Sequence, residues 1–300
     1  MKTLALAFGI LVAAASARAQ VSVEVRMEQV EFVSKEAMPI SVRIVNHSGQ
    51  TLHFGKDPDW LVFSIEAADG HVVNQLANVP VEGEFDLPSS KVAIKKVDVA
   101  PYFNLNRFGR YVLHATVKMK DWQVEISNEK PALFEITPGT RMWEQTFGLP
   151  PADGESHAKP ELRKYILQQV NYTHQMKLYL RITDPLESEV IKVLPIGPMV
   201  SFSRPDTMLD QHSNLHLIYQ CGARLYNYSV VAPDGTLLIR QAFDVTSTRP
   251  HLRVDERGHL GVVDGARRLT SEDVPPNPDP LAPAPAPAPA PPNESKPPKA

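Results

Sequence analysis

The chain is poor in cysteine, in long apolar runs and in clustered basic charge, and each scarcity removes a class of protein. Cys221 is the only cysteine among 300 residues, so an intramolecular disulfide is impossible and stability must come from packing. Close to Tyr219 and Gly222, it reads as a small buried hydrophobe at a strand end rather than a reactive thiol. Beyond its first residues the chain has no apolar run long enough for a membrane helix. No window gathers the Lys and Arg that phosphate neutralisation needs, so nucleic acid is excluded as a partner. Gly-x-Ser-x-Gly, a P-loop, the dinucleotide fingerprint and EF-hand loops are all missing, and the lone cysteine lacks a protease signature. No cofactor and no metal are expected.

What is present begins with an address. Leu4 to Ala15 is an apolar and small-residue run, preceded by Lys2 and followed by Ala17-Arg18-Ala19. That order predicts a secretory signal peptide over residues 1–19, cleaved to leave Gln20 first, and a secreted or periplasmic product. Loss of Lys2 and Arg18 moves the formal charge from -3 to -5. No cysteine stands at the cleavage site to carry a lipid anchor.

From Val21 to about Pro138 apolar residues alternate with polar ones between short turn-rich segments, the pattern of a half-buried antiparallel sheet. Val21, Val23 and Val25 alternate, as do Ile40, Val42 and Ile44 before the turn at residues 46–49. Further strands are read at 52–54, 60–65, 92–99, 111–119, 122–126 and 133–136, giving seven or eight in all. The class is all-β, with a sandwich over residues 20–138.

Within it, Phe108-Gly109-Arg110-Tyr111-Val112-Leu113 resembles the tyrosine corner of immunoglobulin-like sandwiches, where a Tyr hydroxyl bonds back to nearby backbone. The resemblance covers about 120 residues and implies an Ig-like fold, without the Cys pair and Trp spacing of antibody domains. Asn46-His47-Ser48-Gly49-Gln50-Thr51-Leu52 is similar to segments of bacterial extracytoplasmic Ig-like modules, including those related to the BsuPI-type proteinase-inhibitor domain.

Gly148, Pro150, Pro151 and Gly154 mark residues 139–159 as a connector, with Trp143 and Phe147 tucked against a domain. An internal repeat follows over residues 160–269. Ser203-Arg204-Pro205, Asp210 and Leu215-His216-Leu217 recur 45 residues later as Thr248-Arg249-Pro250, Asp255 and Leu260-Gly261-Val262. Lys177-Leu178-Tyr179 and Glu189-Val190-Ile191 match Arg224-Leu225-Tyr226 and Thr236-Leu237-Leu238 at a displacement of 47. A period near 45 resembles propeller blades, but the chain has room for only two and a half and cannot close a ring. Two β-meanders facing each other as a second sandwich are the alternative. Residues 270–300, rich in Pro-Ala repeats, are expected to remain disordered or extended and to contribute nothing to stability.

Candidate chemistry is thin. Asp57, Asp59 and Trp60 offer carboxylates for sugar hydroxyls and an indole for stacking, or alternatively a solvated turn feeding a core Trp. Arg204 and Arg249, with Asp210 and Asp255, either line one rim as a binding surface or tie adjacent strands. His212 and His216 have zinc spacing for a helix, but the surrounding residues read as a strand, which separates them. Four Asn-x-Ser/Thr triplets start at Asn46, Asn171, Asn227 and Asn293. The expected function is a non-enzymatic, monomeric envelope or interaction protein whose partner is a protein or polysaccharide of the cell envelope. The alternatives are a carbohydrate- or peptidase-binding module, and a hydrolase or lyase with a site assembled from separate strands.

Overall fold

The computed structural model describes residues 21–149, 161–200 and 203–275; the expected signal peptide and the Pro-Ala repeats lie outside the described residues. The fold is all-β, built from several antiparallel sheets. Among the described residues no helix is long and apolar enough to cross a membrane.

Ten strands form the first unit: β1 (Val21–Met27), β2 (Glu31–Phe32), β3 (Pro39–Asn46), β4 (Leu52–Phe54), β5 (Leu61–Ala67), β6 (Phe85–Leu87), β7 (Val92–Asp98), β8 (Gly109–Met119), β9 (Val124–Ser127) and β10 (Ala132–Ile136). One sheet has the order β1-β3-β7 and another β2-β10-β8-β5, with β9 also on β8 and a small β4-β6 pair beside them. The alternation read in the sequence is the reason for this arrangement. Val21 and Val23, Ile40, Val42 and Ile44, and Tyr111, Leu113, Ala115 and Val117 all point into one core shared by the two larger sheets. Tyr111 sits at the bend that its motif implies: Gly109 has φ +138°, and the Tyr111 hydroxyl donates to the Arg107 carbonyl at 2.7 Å. The ring stacks on Phe134 at 5.3 Å, and burial pushes the phenol pKa up.

The second unit is a stack of antiparallel layers. β11 (Thr140–Gly148), β12 (Leu162–Asn171), β13 (Met176–Thr183) and β14 (Val190–Pro198) make a four-stranded meander. β15 (Asp206–Leu209), β16 (Leu215–Gln220), β17 (Leu225–Val231) and β18 (Leu237–Asp244) make the next. A hairpin of β19 (His251–Val254) and β20 (Leu260–Val263) is the third layer, and β21 (Ala266–Arg268) returns to pair with β18. The sequence repeat has a physical meaning here. The displacement of 47 relates the third and fourth strands of the two meanders, and the displacement of 45 relates the β15-β16 and β19-β20 hairpins.

The layers pack face to face. Tyr165, Leu167, Leu178, Leu180 and Ile182 of the first meander meet Leu215, Leu217, Tyr219 and Val231 of the second. The opposite face of the second meander, Ile218, Tyr226, Tyr228 and Val230, meets Leu252, Leu260 and Val262 of the hairpin. The first meander is likewise covered on both sides, because Val170, Tyr179 and Val193 on its outer face pack against Val33 of the sandwich. Strands buried on both faces lose the polar alternation of a wet sheet, hence the unbroken run Leu215-His216-Leu217-Ile218-Tyr219.

The seam between sandwich and stack is polar at its centre. Glu36, 4% exposed, accepts hydrogen bonds from the Val33 N–H at 2.9 Å, the Gln29 amide at 2.9 Å and the Tyr179 hydroxyl at 3.1 Å. The Tyr172 hydroxyl lies 2.8 Å from that of Tyr179. At the margins Glu31 accepts from the Thr173 N–H and hydroxyl at 3.0 and 2.8 Å, and Arg181 donates to the Ser34 carbonyl at 2.7 Å.

Two boundaries differ from the sequence reading. Thr140–Gly148, assigned to a connector, is β11, an edge strand paired along its length with β12; its flanking Gly and Pro residues concealed the strand. The rest of that connector, residues 150–159, lies outside the described residues. Residues 270–274, assigned to the tail, dock on β18. The Arg240 and Val274 backbones exchange N–H···O bonds of 2.9 and 3.0 Å, and the Asp273 carboxylate accepts from Arg267 at 2.6 Å. Truncation before Thr270 is therefore expected to cost about 2–4 kcal/mol, from two backbone bonds and one buried charge-assisted bond. Truncation after Pro275 leaves these contacts in place and should leave the melting temperature within a degree or so of the full chain's. Thermal denaturation of the two truncations checks the boundary.

Candidate functional site

The repeated Arg-Pro pairs meet in space. Arg204 enters β15 and Arg249 enters β19, and both line a cleft of about 560 Å³ between the second meander and the hairpin. Its floor is Ile218 and Tyr226, both buried, and its walls include Gln220, Asp206 and His251. Each arginine precedes a proline, whose fixed φ limits how the chain can turn into the strand. Pro250 is buried, and a Cβ on Gly265, at φ +77°, would come within 2.6 Å of its ring. Gly265 thus permits the close packing that seats Pro250 beside the cleft.

The electrostatics of the cleft are one-sided. Asp206 is the one acid in its lining, and its Oδ2 accepts the Leu252 N–H at 2.9 Å, bridging β15 to the free edge of β19. Neither the Arg204 nor the Arg249 guanidinium has a hydrogen-bond or ion-pair partner among the described residues. The sequence identified the two arginines through their repeat. It missed Asp206, Gln220, Tyr226 and His251, for which the same-face spacing of Ile218 and Gln220 on β16 was the available signal.

Asp210 and Asp255 are not part of this cleft, and they do not pair with the repeated arginines. Each closes its own hairpin. The Asp210 carboxylate accepts the N–H groups of His212 and Asn214 at 2.8 and 2.9 Å, and that of Asp255 accepts those of Arg257 and His259, both at 2.8 Å. Ser213 and Gly258 hold the positive φ that the two turns share, +62° and +82°. Burial works against the Asp210 anion, but bonds from Asn214, His212 and His216 outweigh it and hold the pKa below the ordinary value. For Asp255 the His259 N–H is the largest cause of a lowered pKa.

Asp57, Asp59 and Trp60 lie together, but not as a sugar platform. Lys120 Nζ approaches Asp57 at 2.9 Å and Asp59 at 3.2 Å, and Lys118 stands 3.5 Å from Asp59. Trp60 is 3% exposed, with Nε1 donating to the Val81 carbonyl at 3.0 Å and its ring packed against the stacked pair Phe54 and Phe85. Its indole is a core element with no free face to stack. Above it opens a cavity of about 390 Å³ that also takes in His53, Lys56, Glu84 and Trp122.

His212 and His216 sit in different settings. His212 is exposed in the turn, while His216 is buried on β16, with Nδ1 2.7 Å from the Tyr228 hydroxyl and Nε2 3.4 Å from Asp210. No group of three or more potential metal ligands gathers among the described residues. Cys221 is partly buried, and burial pushes its thiol pKa up. Asn46, first of the glycosylation triplets, is fully buried, and its amide donates to the Gln50 and Leu87 carbonyls at 2.7 and 2.8 Å. That asparagine organises the turn after β3.

No protein-family model matches the chain, and no curated protein matches its sequence. Among solved structures the chain is similar to Spo0M, a sporulation control protein of Bacillus subtilis, at 7% identity over 59% of this chain and 89% of that one, with a TM-score of 0.29. It is also similar to the YadV chaperone, at 10% identity over 75% of this chain and 100% of the other, with a TM-score of 0.23. At such scores neither likeness carries an argument, and the function must be read from this chain's own side chains.

Proposed function

We propose that this chain is a secreted or periplasmic, non-enzymatic interaction protein: an Ig-like sandwich joined to a propeller-like stack of layers, with its partner held in the cleft between the second meander and the hairpin. One observation carries the reading. Two arginines brought together by an internal repeat line one cleft and are exposed, with no carboxylate paired to either among the described residues. An apolar floor and unengaged donors are what a recognition site needs, and arginine is enriched at such sites. The signal-like leader supports the compartment.

A second reading, carbohydrate binding, is favoured by the cavity over Trp60, where Trp122 and Phe85 stand beside Glu84 and Lys120. Photo-crosslinking separates the two. With a benzophenone side chain at position 203, in the cleft lining, and separately at position 56, in the cavity lining, the expected result is a discrete protein or glycan adduct from 203 alone in envelope or culture fractions. An adduct from 56 alone transfers the function to the sandwich cavity. Cleavage of peptide or polysaccharide pools by the purified protein would replace either reading with a hydrolase or lyase.

A further inference from the structure

We infer that the cleft is an oxyanion site, in which Arg204 and Arg249 together clamp a carboxylate or phosphate group of the ligand; this rests on the cleft being the recognition site proposed above. Three features lead there. The first is the donor set. A guanidinium presents N–H groups in a planar fork that matches the oxygens of carboxylate and phosphate, and two such forks line one cleft with no acceptor among the described residues.

The second is the excess of cationic over anionic side chains in the lining. Asp206, the acid of the lining, already accepts the Leu252 N–H and so serves the join between β15 and β19. Two guanidinium charges against the single Asp206 carboxylate leave the lining with a positive balance, although the whole chain is formally at -3; His251 lies 3.5 Å from Asp264. Local sign, rather than net charge, sets which ligand enters.

The third is the medium. Ile218 and Tyr226 form a floor 2% and 8% exposed, and Pro250 is buried at the side. A charge-assisted bond over such a surface is less screened than one in open water.

The test is calorimetric titration of the full mature chain at low salt with three probes: inorganic phosphate, glutarate and neutral maltose. Phosphate or glutarate is expected to bind and maltose not to. Arg204→Ala and Arg249→Ala should each weaken binding about tenfold or more, with Arg249→Lys retaining part of the affinity because it keeps the charge and loses the fork. Affinity should fall as sodium chloride is raised. A preference for phosphate assigns the group to a phosphoryl ligand, and one for glutarate to a carboxylate ligand. No binding of either anion, or binding that survives the double variant, overturns the inference. Because both arginines are exposed, unchanged melting curves are expected to show that the variants fold. A crosslinked partner at position 203 whose capture ignores both substitutions would leave the recognition reading intact and remove the oxyanion inference alone.

Discussion

Glu36→Ala is expected to destabilise the protein by about 2–5 kcal/mol, a large effect for a side chain outside either apolar core. The carboxylate is the shared acceptor for the Val33 N–H, the Gln29 amide and the Tyr179 hydroxyl, and removing it strands donors at a buried seam. Each buried donor left without a partner costs about 1–3 kcal/mol, less where water reaches it. Equilibrium urea denaturation measures the loss; a change below about 0.5 kcal/mol would show that the seam rehydrates freely.

The same residue gives the protein a pH signature. Burial raises the Glu36 pKa above its ordinary 4.5, against the opposing bonds from Val33, Gln29 and Tyr179. A group that holds its proton more tightly folded than unfolded contributes stability fully below the unfolded pKa and loses it as pH rises through the folded pKa. Glu36 should therefore add a decline in stability with rising pH from about 4.5 upward, a component absent from the alanine variant.

The second large effect concerns the stack without its cover. Expressed without residues 21–137, the chain from Thr140 onward is expected to self-associate at micromolar concentration, while the mature chain stays monomeric. The sandwich shields Val170, Tyr179 and Val193 on the outer face of the first meander, and its Ser34 carbonyl accepts a hydrogen bond from Arg181. Uncovered, that face becomes an apolar patch on a regular sheet, a surface that invites stacking. Light scattering on both proteins decides it. A monomeric, cooperatively melting fragment would mean that the first meander needs no partner on that side.

Much of the sandwich was legible because each strand has one wet face, so Val21, Val23, Ile40, Val42 and Ile44 carry the period in plain view. Shorter elements were not: β2 and β6 are two and three residues long, too few for any period to register. The repeat announced the two hairpins but could not say which of its residues turn the chain and which face a ligand. Asp210 and Asp255 recur because the turns need them, whereas Arg204 and Arg249 recur and remain unengaged. Trp60 was ambiguous for a different reason, since an indole serves a core and a sugar platform equally well until its neighbours are known. The seam had no local signal at all, because Glu36 and Tyr179 are 143 residues apart in the chain.

The return of β21 to β18 makes the third layer an excursion from the second. The chain leaves at Asp244 and comes back at Ala266, which pairs with that same Asp244. The ends of the intervening segment are fixed side by side by contacts that do not depend on the hairpin itself. Lengthening or replacing such a loop costs little closure entropy, since each doubling of its length adds only about 0.6 kcal/mol. The β19-β20 turn, away from the buried Leu252, is therefore where the hairpin can change in length while the face it covers, the sheet that anchors it and the arginine on the opposite wall stay as they are.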